Sequence, residues 1–436
     1  MNFIGENYHS FLNKNLKKYN YIYNQDGFNM SFIPIDDKSY LFCTRLLGTI
    51  PAYFGEDVKP GNYSNNKDFI KMKLKKSNKN KELEMIDFGE NFFWGSWTKN
   101  LLDNSIFFVG NIEKNNGKHK IIVNEKIKPY VINNFPVILN NKRSDIFFYS
   151  DIRLIKYEDK ILCYDGFVSS IYEIKISNNT IYTSFNITDD AFFKTNILYH
   201  KTSLCNNIRN YDKNWSFVKK TTKDNTDYLL FLNWFKQGKL IITYVPYLKN
   251  INDCINENII SMKKDIIDGL GNDKSGMFSF GVPLIEYKCN DEYCGIGMGH
   301  IKIIKQKNYN SEHINNFLNQ INELKSKYKN KMIMHLSYHY LTYFFIFIKN
   351  KDGYKFLISD AYLFINTDKE YIFTINYGMG INEVNDKILV SMGLGDYYNV
   401  LLSFKLDTIK EVCKHDLENL NLDDYKYKIV NKTSIE

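Results

Sequence analysis

The residues of this 436-residue chain best equipped for chemistry are two aspartates and a scattered set of cations, amides and aromatics. Asp151 and Arg153 stand two apart at the head of an apolar run, and Arg45 ends an earlier one. Lys213, Asn214 and Trp215 precede a third run, His300 follows a fourth, and Asp396 ends a fifth. An aspartate can move a proton to or from a reacting group, and cations, amides and a histidine can hold an anion or polar ligand. Each residue also has a plain structural reading: Asp151 as a turn residue, Arg153 as half of an ion pair, His300 as a satisfied core histidine.

Other chemistries lack their signatures. No glycine-rich phosphate loop, zinc pattern or nucleophile elbow occurs. The segment Gly295–Gly299 (GIGMG) lies inside a strand-like run and opens no helix, which argues against a dinucleotide fingerprint. The seven cysteines are irregularly spaced, and Cys289 and Cys294 have no second pair at zinc spacing. No metal or cofactor is expected. Several cysteines sit in apolar runs and read as small core residues, which suits a reducing compartment.

The elements that must position these residues are strands. Aromatics make up 16% of the chain, with 33 Tyr and 32 Phe, many beside Ile, and such residues fit a pleated, half-buried surface. Strand-like runs recur from about residue 30 to 406, among them Ser39–Leu46, Ser105–Val109, Ile152–Tyr157, Ile161–Tyr164, Tyr293–Met298, Ile301–Lys305 and Lys387–Met392. Short polar turns such as Asn178–Asn179 separate several of them. A unit of apolar strand, charged turn and second apolar strand recurs five times: FIPIDDKSYLFCTRL, RLIKYEDKILCYDGF, LLFLNWFKQGKLIITYV, IEYKCNDEYCGIGMGHIKI and INEVNDKILVSMGLGD. This predicts an all-β fold, a five-bladed β-propeller over residues 30–410, with an N-terminal segment 1–29 and a polar C-terminal tail 411–436 that is loosely docked or unstructured. One insertion near 311–329 is helical, since Ile314, Phe317, Leu318, Ile321 and Leu324 recur at helical spacing and pack on the propeller. In a propeller the equivalent ends of the inner strands meet at one axis, so the polar residues above would face one funnel.

In that order the motifs resemble the β-1,2-mannoside phosphorylases and related β-mannosyltransferase-like proteins, which are five-bladed propellers. Asp151-Ile152-Arg153 is similar to their Asp-Pro-Arg motif, with Ile152 in place of proline. Lys213-Asn214, the GVPLIEY segment with His300 beyond it, and Met392–Asp396 are similar to the family's later motifs. The resemblance spans roughly residues 30–405. It implies Asp151 as the general acid, acting through a sugar hydroxyl, with Arg153 steadying the site. It implies Lys213, Asn214 and His300 for phosphate, and Arg45, Arg153, Trp215 and Asp396 for the sugar. Glu286 stands near where the family carries a phosphate-binding lysine, and a carboxylate there would repel phosphate. The resemblance implies a glycoside phosphorylase or glycosyltransferase acting on a mannoside-type bond with inversion, with hydrolysis open beside them. The expected partner is a carbohydrate or sugar phosphate. Either inorganic phosphate or a sugar phosphate can serve as substrate, and no cofactor is expected. The alternative is a non-catalytic propeller that binds a glycan or a protein.

A net charge of +8 is modest, and the lysine run Lys71–Lys81 reads as a solvated loop with no accompanying nucleic-acid motif. The N-terminus has no apolar secretory core, and Leu341–Ile348 is far too short to span a bilayer, so a cytoplasmic protein with no nucleic-acid or membrane partner is expected. The sequence leaves the oligomeric state open.

Overall fold

The structure, a computed structural model, describes residues 2–3, 22–23, 28–49, 103–115, 118–133, 138–139, 142–143, 151–164, 171–183, 214–235, 238–246, 255–263, 266, 278–304, 312–327, 332–334, 338–365, 371–373, 375–394, 398–421 and 423–431. Lys213, Asp396, Cys205, Cys254 and the run Lys71–Lys81 lie outside the described residues.

Among the described residues, five sheets have four or more strands. The first is built around Phe28–Pro34, Ser39–Thr49, Asp103–Asn115 and Lys118–Val123. The second is a meander of Arg153–Tyr157, Lys160–Tyr164, Ile171–Ser177 and Thr180–Thr183. Ser216–Lys223, Thr226–Phe235, Lys239–Pro246 and Ile255–Ser261 form the third. The fourth is larger, around Phe278–Phe280, Tyr293–Ile304, Tyr338–Asn350 and Gly353–Ile358. The last contains Asn376–Val384, Lys387–Leu394, Tyr398–Phe404 and, as its outer strand, Asn2–Phe3. The strand nearest the start of the chain thus closes onto Tyr398–Phe404 of this sheet, with Asn2 opposite Leu401.

Packing follows from the period of two along a strand. In the first sheet Leu41, Cys43, Phe107 and Val109 face Leu154, Cys163 and Ile174 of the second. Their neighbours Phe42, Ile106 and Phe108 face Val384, Leu389 and Leu401 of the last sheet. Three further apolar clusters fill the spaces between second and third, third and fourth, and fourth and last sheets. Each sheet is therefore buried on both faces, which explains why the strands read as continuous apolar runs rather than alternating ones. Buried polar side chains join the same neighbours. Ser31 Oγ accepts from Leu154 N at 2.9 Å, Ser216 donates to the Val282 carbonyl, and Ser391 donates to that of Met30. The Asn376 amide oxygen accepts from Phe364 N at 2.6 Å, and that of Asn399 from Met30 N at 2.9 Å. Sheets stacked face to face in a closed succession, last against first, make a propeller.

The turns are those the sequence indicates. Asn178–Asn179, Asp224–Asn225 and Asn385–Asp386 all have positive φ at both positions, the conformation of tight hairpins that Asn and Asp tolerate. Asp36 caps its own turn, accepting from Lys38 N at 2.9 Å and Ser39 N at 2.8 Å.

Several expectations need correction. Tyr293–Met298 and Ile301–Lys305 are not two strands but one, Tyr293–Ile304, which runs straight through the glycines. Gly295, Gly297 and Gly299 pair with Phe347, Phe345 and Tyr343 of the neighbouring strand. The rings of Phe345 and Tyr343 occupy the space that side chains at Gly297 and Gly299 would fill. The glycine spacing is thus a seat for aromatic rings, not a break. The third repeat unit is also out of phase. LLFLNWFKQGKLIITYV forms the second and third strands of its sheet, and the inner strand is Ser216–Lys223. Cys43, Cys163 and Cys413 are buried free thiols, but Cys289 and Cys294 form a disulfide.

Strand Phe28–Pro34 crosses residues 29 and 30, and helix Leu406–Val412 crosses residues 410 and 411. Beyond it, Tyr427–Asn431 adds in parallel to Ala361–Ile365, with Leu417 and Tyr425 fully buried, so the tail is docked and not loose. The helix Glu312–Lys327 lies on this part, burying Ile314, Phe317 and Ile321, with the Phe317 ring 5.9 Å from that of Tyr427. Among the described residues no helix is long and apolar enough to cross a membrane.

Candidate functional site

The inner strands bring the polar residues together at their starting ends. A register shift between Phe28 and Ser31 bulges the first inner strand, and Asn29 there has φ 51°. The bulge turns Asn29 toward the second sheet, where its Nδ2 donates to Asp151 Oδ1 at 2.7 Å. Arg45, opposite Phe28 on the next strand, donates from Nη1 to the same oxygen at 2.6 Å. Asp151 has φ 60°, a left-handed conformation that lets its side chain leave the strand line and meet the first sheet. The Arg45 and Asp151 side chains are 4% and 10% exposed, so this is a nearly desolvated ion pair.

Arg153 points the other way and spans the axis. Its Nη1 donates to the Asp151 carbonyl at 2.9 Å, and Nε to the Gly281 carbonyl of the fourth sheet at 2.7 Å. Its Nη2 donates to Asn214 Oδ1 at 3.1 Å, beside the third sheet, and to the Tyr377 hydroxyl of the last sheet. Tyr377 in turn donates to Asn214 Oδ1 at 2.5 Å. The faces of the Tyr164 and Tyr377 rings lie 5.9 and 5.8 Å from the guanidinium carbon. Burial pushes the Tyr164 hydroxyl well above its ordinary pKa, so it stays neutral beside the cation. Asp151 and Arg153, two residues apart, therefore reach all five sheets between them.

Asn214 is buried and also donates to Ser279 Oγ at 3.4 Å. His300, opposite Ser279, is buried, stacked on Tyr340 at 4.9 Å and set edge-on to Tyr377 at 4.9 Å. It thus stands one ring away from the Arg153 cluster.

Arg45, Asp151, Arg153 and Asn214 are brought into one cluster, with His300 at its margin. Trp215 is 2% exposed and packs toward Phe231, 6.2 Å away, in the core between second and third sheets. Arg153 is wholly buried and donates to groups of the protein, so it braces the cluster. Glu286, placed by its sequence position near a phosphate site, is exposed. Its charge acts on Lys219 and Tyr293.

Asn29, Ser279 and Tyr377 escape the sequence reading. Asn29 is hidden because it lies at an assumed segment boundary. Tyr377-Gly378 lies at the start of the inner strand of the last sheet, with Tyr377 opposite Gly393, and carries no signal of its own in the sequence. Gly281 and Gly378 abut: a Cβ on Gly281 would lie 2.3 Å from the Gly378 carbonyl oxygen. Close approach of the two strands beside the cluster requires that glycine.

No family model matches the chain, and no curated protein is similar to it in sequence. Among solved structures it is similar to a β-1,2-mannobiose phosphorylase from Listeria innocua, at 10% identity over 90% of this chain and 93% of that one, with a TM-score of 0.42. It is also similar to MPT-4, a mannose phosphorylase from Leishmania mexicana, at 10% identity over 96% and 99% of the two chains, TM-score 0.34. A third likeness is to MPT-1, a GDP-Man-dependent mannosyltransferase from Leishmania mexicana, at 8% identity over 92% and 91%, TM-score 0.31.

Proposed function

We propose that this chain is a carbohydrate-active enzyme on a propeller of five blades, one per large sheet, that makes or breaks a mannoside-type bond with inversion. Asp151 is the general acid. The observation that carries this reading is the setting of the Asp151 carboxylate, fixed by Asn29 and Arg45 where the inner strands begin. The order of the Asp-x-Arg, Lys-Asn and Gly-x-Pro motifs along the chain supports it further.

In this reading Asp151 passes its proton through a sugar hydroxyl to the glycosidic oxygen as the bond to the anomeric carbon breaks. Phosphate attacks that carbon from the opposite face. In the transfer direction a phosphate or nucleoside diphosphate leaves, the acceptor hydroxyl attacks, and its proton returns through the sugar hydroxyl to Asp151, which then acts as the base. Arg45 and Asn29 hold the carboxylate in place, and substrate must loosen the Arg45 contact before Asp151 carries its proton. Lys213, Asn214 and His300 are proposed for the anion, and Arg45 and Asp396 for sugar hydroxyls. The chemistry needs no cofactor.

The test is a screen of mannosyl phosphates, nucleotide sugars and β-mannosides for thermal stabilisation, followed by turnover on those that bind. Asp151→Asn should abolish turnover while sugar binding persists. Undiminished turnover in that variant would reject Asp151 as the acid. A second reading, a non-catalytic propeller that binds a glycan or protein, is favoured by the sealed Arg153 hub, which has the look of a structural brace. Sugar binding without turnover of any compound in the screen would favour it.

A further inference from the structure

The hairpin between Ile285–Glu286 and Tyr293–Ile304 carries chemistry that the central cluster does not use. Its neck is fixed by the strand pairing of Glu286 with Gly295 and by Tyr287 N donating to the Cys294 carbonyl at 2.9 Å. At its tip Cys289 and Cys294 are joined in a disulfide, their Cα atoms 6.1 Å apart. Asp291, exposed between them, turns its carboxylate back toward the sulfurs, with Oδ2 4.0 Å from Cys294 Sγ. The two sulfurs and one Asp291 carboxylate oxygen all lie within 4.8 Å of one another. Cys289 is half-buried beside this exposed turn, whereas Cys43, Cys163 and Cys413 are sealed in the core.

We infer that this hairpin is a redox-gated site for a thiophilic divalent cation of the zinc class, with Cys289, Asp291 and Cys294 as ligands. A thiol or phosphine reductant supplies two electrons; the S–S bond breaks and each sulfur takes one electron and one proton. The cation then binds both sulfurs as thiolates and releases the two protons to solvent. The Asp291 carboxylate is the third ligand, and water completes a tetrahedron. With Zn–S bonds of about 2.3 Å, two thiolates on one ion stand roughly 3.8 Å apart. Side-chain rotation from a fixed 6.1 Å Cα spacing reaches that separation. In the disulfide neither sulfur is a thiolate, so oxidation closes the site. Cysteine spacing hides it, because the third ligand is an aspartate that the turn folds back.

The test uses the full chain with Cd²⁺ as the probe. Protein isolated in air should show this pair linked by mass spectrometry of its peptides. After reduction with a phosphine, it should bind one equivalent of Cd²⁺ with a sulfur-to-cadmium charge-transfer band, which oxidised protein lacks. Cys289→Ser, a change at a half-buried hairpin position, should abolish the band, and Asp291→Asn should weaken binding about tenfold. A band that survives in Cys289→Ser, binding unaffected by oxidation, or an unlinked pair in air-isolated protein would each overturn the inference.

Discussion

Arg45 and Asp151, 106 residues apart in the chain, meet in an ion pair of 2.6 Å between the first and second sheets, both nearly sealed from water. A pair like this stabilises little compared with apolar side chains of the same shape, but losing one partner strands the other charge in a desolvated place. Arg45→Met and Asp151→Asn should each lose about 3 kcal/mol in urea unfolding. The double variant Arg45→Met/Asp151→Leu should be more stable than either single one. Singles within about 0.5 kcal/mol of wild type would show that water reaches the pair.

Backbone conformation adds a second demand at the same residue. At φ 60° Asp151 occupies a region that Asp, Asn and Gly tolerate and alanine does not. Asp151→Ala should therefore unfold at lower urea than Asp151→Asn, by about 1 kcal/mol. Equal midpoints would mean that the strand entry relaxes.

The Arg153 hub depends on a planar fork reaching four acceptors, which a lysine lacks. Arg153→Lys should cost about 3 kcal/mol, and Tyr377→Phe about 1–2 kcal/mol, because Asn214 and the guanidinium lose one shared partner. Hydrogen exchange should show faster opening of Arg153–Tyr157 and Asn376–Val384 in both variants. Unchanged exchange would remove the hub from the account of how the sheets are tied.

Gly297 makes a sharper packing test. A Cβ there would lie 2.2 Å from the Phe345 ring, in the middle of the fourth sheet. Gly297→Ala should destabilise by about 2–3 kcal/mol, and adding Phe345→Leu should recover part of that. Additive losses would refute the pairing of this glycine with this ring.

The docked C-terminal strand should respond to acid. Asp360 is buried, and burial alone raises a carboxyl pKa. Hydrogen bonds from Lys428 Nζ, His415 Nε2 and Lys426 N outweigh it and hold Asp360 below its ordinary value. A depressed carboxyl stabilises the fold fully above its unfolded-chain pKa and loses that contribution as pH falls through its folded value. Stability should drop below about pH 4, with amide exchange rising first in Tyr427–Asn431. Asp360→Asn should be weaker at neutral pH and lack that component of the acid slope. An identical slope in the variant would assign acid sensitivity elsewhere.

The strand-rich character, the asparagine turns and the apolar stripe of helix Glu312–Lys327 are legible in the sequence, because each rests on local preference or on a short repeat. So is the notice given to Asp151, Arg153 and Asn214, which stand where inner strands begin. What only the tertiary structure decided is what those side chains touch. Asn29 and Arg45 reach Asp151 only when the first sheet stacks on the second, and Tyr377 reaches Arg153 only across the axis. That Trp215 lies in the core is likewise decided by how the second and third sheets stack. Residue order along the chain fixes neither contact nor burial, because both depend on the relative placement of sheets that are distant in sequence.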